Sequence, residues 1–285
     1  MKMKITVLTE NTANKRGLLG EHGLSVLIEA RGRKLLFDTG QSSVYVRNAG
    51  KLGAGLDDVD AVVLSHGHYD HTGGLEEFCG KLPPVYVRRE AFEDKLCKNA
   101  DGNSFRTIGI PWAVHEDGQI RMPERIRQSL RFTEEKEEIF PDIFVLGRIP
   151  VSKDLPLFRK RDGSRLVPDR MEDEQLLIIR EPSGLSVFAG CAHAGILNCL
   201  SWTEAHFPGE HIRFLLAGMH LRGSGKQEIE DTIERIREYG IEQIVPLHCT
   251  GMRAIAMMRE AFGKNCLSGE TGACFVLQEE SSENG

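Results

Sequence analysis

The sequence predicts an α/β layered fold, and two patterns carry that prediction. Short strand-like runs joined by hairpin turns fill the first part of the chain, whereas strand and helix alternate through the last third. A third observation ties fold to chemistry: several apolar runs end in loops that carry histidine.

Ile5 to Leu8 alternates in the manner of a strand. Leu24 to Ala30 and Lys34 to Phe37 form a strand pair across the turn Arg31-Gly32-Arg33, and Asp38-Thr39-Gly40 ends it. Residues 43–52 read as a short helix. Ala61 to Leu64 is a continuous aliphatic run, the pattern of a buried strand, and it stops at Ser65-His66-Gly67. A helical turn over Leu75 to Cys79, a strand over Val85 to Val87 and a helix over 90–98 follow.

Residues 99–170 are less regular and highly charged. They are expected to form an insertion or lid within a single 1–285 domain, with a strand pair near 142–149. Strands at Leu176 to Arg180 and Leu185 to Ala189 meet at Glu181-Pro182-Ser183-Gly184. Then come a strand at Ile212 to Ala217, an amphipathic helix at 226–239 and a strand at Gln243 to Leu247. A helix from Arg253 to Phe262, a strand at Ala273 to Leu277 and a frayed tail at 281–285 complete the chain.

Composition narrows the function classes. The 285 residues carry a net charge of −6, which gives no basic face for nucleic acid. No apolar stretch approaches the ~18 residues of a membrane span. The amino terminus reads as a strand rather than an export signal. Seven cysteines form no paired framework, so reduced thiols and a cytoplasmic location are expected.

The strongest signal is Ser65-His66-Gly67-His68-Tyr69-Asp70-His71-Thr72-Gly73-Gly74. Imidazole and carboxylate together suit zinc, iron or manganese, and a mixed set suits a hydrolytic metal pair better than a structural zinc. His66 and His68 alternate and can face one metal, while Asp70 and His71 on the following turn can face a second. Three further loops place His193, His220 and His248 at the ends of apolar runs, where sites on α/β sheets gather. Asp38 is expected to orient the metal loop by hydrogen bonds. Asn11, His22 and Ser25 are candidates to line the pocket, although from their chemistry alone they read as turn or cap residues, and Cys79, Cys97, Cys199 and Cys266 read as small hydrophobes.

The H-x-H-x-D-H box with Asp38-Thr39-Gly40 upstream resembles the metallo-β-lactamase superfamily. Further segments narrow the likeness: Glu10-Asn11-Thr12-Ala13, Gly20-Glu21-His22-Gly23-Leu24-Ser25, Gly147-Arg148-Ile149-Pro150, Gly190-Cys191-Ala192-His193-Ala194-Gly195 and Pro246-Leu247-His248-Cys249-Thr250-Gly251. Together they are similar to the subfamily labelled dihydropterin-ribofuranosyl-aminobenzene-phosphate synthase-like, and the likeness runs nearly end to end. It implies an αββα sandwich of two mixed sheets flanked by helices.

The resemblance also implies a ligand set. His66 and His68 match the first-metal ligands, Asp70 and His71 the second-metal pair, and His248 the late histidine of the second site. Cys191 stands where the usual bridging aspartate is found, as a bridging thiolate or a buried residue. His193 is then the remaining imidazole for the first metal, with Glu174 in reserve. His220 is similar to a histidine that can serve as general acid.

The expected activity is hydrolysis of a phosphorylated or cyclic small molecule by hydroxide formed at two divalent transition metals, zinc first and iron or manganese otherwise. Asp70 would bind metal and position the hydroxide. The rival readings are a pterin-linked condensing enzyme, a di-iron redox enzyme and a non-catalytic ligand sensor. A small-molecule substrate is the expected partner, with a homodimer compatible and neither membrane nor nucleic acid expected.

Overall fold

The computed structural model describes residues 2–151 and 155–278; the tail at 281–285 lies outside them. Two mixed sheets pack face to face. The first has seven strands in the order Leu130–Phe132, Val85–Val87, Ala61–Val63, Arg33–Phe37, Ser25–Ala30, Lys2–Thr9 and Cys274–Gln278. The second has six, in the order Lys136–Phe140, Ile143–Leu146, Leu176–Glu181, Gly184–Ala189, Ile212–Gly218 and Gln243–Leu247. Each sheet passes from antiparallel to parallel pairing, the first beyond Arg33–Phe37 and the second beyond Gly184–Ala189.

Apolar residues from both sheets fill the space between them. Ile5, Val26 and Phe37 meet Val145, Phe188 and Phe214, and the Phe37 and Phe188 rings lie 6.3 Å apart. The outer faces are covered too, which explains why strands such as Leu176–Glu181 read as continuous apolar runs. The helix Val44–Leu52 covers the first sheet with Tyr45 and Ala49. Helices Ile196–His206, Lys226–Glu238 and Met252–Phe262 cover the second. Ile229, Ile233 and Ile236 make the buried stripe of Lys226–Glu238 at helical spacing. These layers are the expected αββα sandwich.

The parallel strands position the site. Arg33–Phe37, Ala61–Val63, Gly184–Ala189, Ile212–Gly218 and Gln243–Leu247 release their following loops at one edge of the sandwich, where the histidines collect.

Residues 90–98 are not a helix, contrary to the sequence expectation. A 3-10 turn at Arg89–Phe92 gives way to a strand at Lys95–Lys98. That strand pairs with Phe158–Asp162 and Phe105–Thr107, so partners distant in sequence decide its conformation. With Arg165–Pro168 these strands form a separate four-stranded sheet. The remainder of 99–170 is richer in strands than its charge suggests: Leu130–Phe132 joins the first main sheet, and Lys136–Phe140 with Ile143–Leu146 the second. Cys79 is exposed rather than packed among apolar neighbours.

Candidate metal centre

The box residues leave the strand Ala61–Val63 through a backbone path that demands glycine. A Cβ on Gly67 would lie 2.1 Å from the Ala91 carbonyl oxygen, so no larger residue fits between His66 and His68. Asp173 fixes the same turn by accepting the Gly67 N–H at 2.7 Å. After the parallel strands, Asp38, Ala192, His220 and His248 all adopt left-handed backbone (φ 57°, 48°, 49° and 54°). Non-glycine residues avoid this region, and such strain gathers at functional sites.

Candidate ligand atoms fall into overlapping groups, each within 4.8 Å. One comprises His66, His68 and His193; another His22, Asp70 and His248. His71 and Cys191 join the groups through His66, and Cys191 is also grouped with His248 and Cys249 and with His193 and His220. Every residue expected at the site from the sequence is therefore brought to it. His22, a candidate only for lining the pocket, joins a ligand group, and Cys249 was not expected there.

The imidazoles share an arrangement. Asp38 accepts from the Ser65 amide (2.7 Å), the Ser65 hydroxyl (2.7 Å) and His71 Nδ1–H (2.7 Å). Because the Ser65 hydroxyl proton is committed to Asp38, its oxygen accepts from His66 Nδ1–H at 2.9 Å. One buried carboxylate thus sets the tautomer of two histidines. Glu174 does the same for His193, accepting from its Nδ1–H at 3.2 Å and its backbone N–H at 2.8 Å. Asn11 Oδ1 holds His248 Nδ1 at 3.1 Å. In all four rings Nδ1 is tied behind, which leaves Nε2 for the centre. Glu174 backs His193 and is not grouped as a ligand itself.

The donor set fits a metal ion. His66 Nε2 and His68 Nε2 are buried with no hydrogen-bond partner, an unfavourable state that coordination would satisfy. Burial, reinforced by neighbouring histidines, pushes the pKa of both rings well below the ordinary range, leaving neutral imidazoles able to donate lone pairs. In His71 burial acts downward but the Asp38 and Asp70 carboxylates outweigh it, raising the pKa to about 9. Asp70 is held well below the usual carboxylate range: burial opposes ionisation, and His71, His22 and His248 overcome it. Its Oδ2 lies 3.1 Å from His22 Nε2 and 3.4 Å from His248 Nε2.

Cys191 Sγ sits 3.2 Å from His71 Nε2. Burial and the neighbouring Cys249 push its thiol pKa up. Soft sulfur therefore stands between the two imidazole groups, where a metal would have to deprotonate it. The His220 ring is 4.7 Å from that of His193, and Phe158, from the separate sheet, packs on His68, His193 and His220 at 5.6, 5.2 and 5.8 Å. Phe158 excludes water from one side of the centre.

Comparison with known proteins agrees with this geometry. The model of the metallo-beta-lactamase superfamily matches residues 19–207. The crystal structure of Tm1679, described as a metal-dependent hydrolase of the beta-lactamase superfamily, aligns with a TM-score of 0.82 at 33% identity, covering 97% of this chain and 100% of its own. The uncharacterized protein MJ0448 of Methanocaldococcus jannaschii is 32% identical over 268 residues, 90% of this chain and 94% of the relative. A second protein of that organism is named 7,8-dihydropterin-6-methyl-4-(beta-D-ribofuranosyl)-aminobenzene-5'-phosphate synthase. It is 27% identical over 276 residues, 91% of this chain and 92% of the relative.

Proposed function

This chain belongs to the metallo-beta-lactamase superfamily, and on that premise we propose that it is a metal-dependent hydrolase of a phosphorylated or cyclic small molecule, with a dinuclear centre. The observation that carries the reading is the pair of unpartnered nitrogens on His66 and His68 beside a second group of donors. His66, His68 and His193 would hold one ion. Asp70, His71 and His248 would hold the other, with Cys191 between them. Two divalent ions, zinc in our reading, would supply Lewis acidity toward water and the substrate oxygen.

The protein's own residues do the rest. Asp38, Glu174 and Asn11 fix the imidazole tautomers from behind. Asp70 orients the attacking group. The exposed His220 gives a proton to the leaving oxygen. The 99–170 segment shapes the entrance within one domain. The substrate is a small molecule, and the free cysteines support a cytoplasmic location. Among the described residues no helix is long and apolar enough to cross a membrane.

The condensing reading stands second, favoured by the name of the 27% identical relative. The deciding test is metal analysis with turnover. Protein reconstituted with zinc, iron or manganese is expected to bind close to two ions per chain and to cleave bis(p-nitrophenyl) phosphate. Folded protein that takes up none of these metals ends the proposal. Metal uptake without cleavage of any phosphoester tried moves the weight to the condensing reading.

A further inference from the structure

A cleft of about 840 Å³ opens beside the centre, with His22 and His248 in its wall. That volume suits a small organic ligand. On one side stands the loop bearing Thr12 and Asn14; on the other, the helix Met252–Phe262 turns Met252 and Ile255 toward it. The cleft thus offers an apolar wall leading away from the metal ligands, so a bound molecule would have a body extending past the reacting group.

Most charges along it are already committed. Glu10 Oε1 accepts the His248 N–H at 2.8 Å, and Glu10 Oε2 accepts the Thr12 amide and hydroxyl at 2.7 Å each. Arg259 donates to Ser268 Oγ, which in turn donates to Glu270. Arg222 differs. Among the described residues its guanidinium has no carboxylate within ion-pair reach and no hydrogen-bond acceptor.

Arg222 is exposed, and its backbone is held in the cleft wall. The Arg222 N–H donates to the Cys249 carbonyl at 3.2 Å. Gly251, at φ +79°, lies so close that a Cβ there would stand 3.1 Å from the Arg222 Cα and 3.0 Å from its Cβ. Gly251 is also the N-cap of the Met252–Phe262 helix and has no side chain with which to cap it. Arg222 and Gly251 line the same cleft, and a guanidinium and first-turn N–H groups both favour an anion.

We propose that Arg222 is the specificity-determining residue of this cleft, binding a second anionic group, a phosphate or carboxylate, on a substrate whose reacting group lies at the metal centre. The substrate class is then an apolar or ring-bearing body with two anionic groups. This inference rests on the hydrolase reading for which end reacts, but the binding it requires is separately measurable.

The test compares two probes by calorimetry on metal-reconstituted full-length protein. Phenyl phosphate carries one anion; 4-carboxyphenyl phosphate carries one at each end of the ring. Wild-type protein is expected to bind the two-anion probe about tenfold tighter or more. Arg222→Gln should bring that ratio close to one, while the Kd for phenyl phosphate moves by less than about twofold and metal content stays unchanged. Arg89→Gln, at an exposed arginine in a different cleft, controls for general charge and should leave the ratio intact. A ratio unaffected by Arg222→Gln, or no wild-type preference for the second anion, overturns the assignment. Loss of metal binding or of phosphoester cleavage would instead count against the hydrolase reading alone, since the probe ratio is read from binding.

Discussion

His66, His68 and His193 are at most 5% exposed, whereas across the centre the His22 side chain is 45% exposed and stands in the wall of the cleft. The two groups also differ in what their donors do. His66 and His68 hold Nε2 atoms with no partner, while Asp70, His22 and His248 are in contact with one another. A buried polar atom without a partner costs about 1–3 kcal/mol. The enclosed group is therefore built around a ligand it needs, and the open group satisfies itself. The enclosed group should hold the tighter metal, and the open group the more exchangeable one that meets substrate.

The largest expected effect follows from that contrast. His68→Ala should remove the tighter ion, lower the thermal midpoint and abolish measurable turnover, because binding to the native state stabilises by mass action. His22→Ala, which removes a hydrogen bond to Asp70, should keep that ion and weaken only the second. Elemental analysis after dialysis against graded chelator reads both. If His22→Ala strips the more tightly held ion, the ranking of the two groups is wrong.

His220 tests whether the boundary between ligand and acid is placed correctly, since it is grouped with Cys191 and His193. His220→Ala is expected to keep full metal content and lose about 10²–10⁴-fold in rate for a poor leaving group. For a nitrophenyl ester, whose leaving group needs no proton, the loss should be much smaller. If His220→Ala sheds metal while His193→Ala does not, the two roles exchange.

The enclosed group also depends on a buried ion cluster behind it. Lys95, from the separate sheet, donates to Asp169 at 2.9 Å and to Asp173 at 2.8 Å, and Asp173 anchors Gly67 between the two box histidines. Burial resists ionisation of both groups, but each charge more than offsets this for the other: Lys95 is raised above its ordinary pKa and Asp173 lowered. The Asp173 contribution to stability is present above the unfolded carboxylate pKa and is lost as pH falls through the folded one. The Lys95 contribution is present below the unfolded lysine pKa and is lost at higher pH. Between about pH 4 and 10 the cluster is intact. Lys95→Met should cost about 3–5 kcal/mol at pH 7 by leaving two buried carboxylates without a cation. That deficit should shrink toward pH 4 as Asp173 protonates, read from denaturant unfolding at each pH. A pH-independent deficit would assign Lys95 a packing role only.

How far the sequence disclosed these parts depends on how far apart the partners lie. The box was legible because four candidate ligands stand within six residues, and His193, His220 and His248 because each follows an apolar strand. Asp38 was legible from its turn, and its hydrogen bonds to Ser65 and His71 give it the expected orienting role. His22 reads as a turn residue that can at most line the pocket: it stands among Gly20, Glu21 and Gly23, and only the fold brings it to Asp70. Cys249 was hidden beside the more conspicuous His248. Lys95 gave no signal, since its carboxylates are 74 and 78 residues away. The helix expected over 90–98 failed for the same reason, because long-range strand pairing outweighs local pattern there.

The smallest effect, and the finest test of the contrast, concerns the groups behind the rings. Glu174 accepts three N–H groups: His193 Nδ1 and backbone through Oε1, and the Ala194 amide through Oε2 at 3.0 Å. Glutamine keeps the size but replaces one acceptor with a donor, so either the Ala194 N–H or the His193 ring loses its partner. The remaining oxygen is also neutral and holds the imidazole less firmly. Such changes behind a ligand cost about 10–100-fold in metal affinity. Glu174→Gln should therefore weaken the tighter ion by that factor and leave the weaker ion as it was. Asn11→Ala, which frees His248 Nδ1, should do the reverse. Competition against a chromophoric chelator resolves the two affinities in each variant. If both substitutions weaken the same ion, the two groups share one metal environment, and the division between an enclosed and an open half does not extend to affinity.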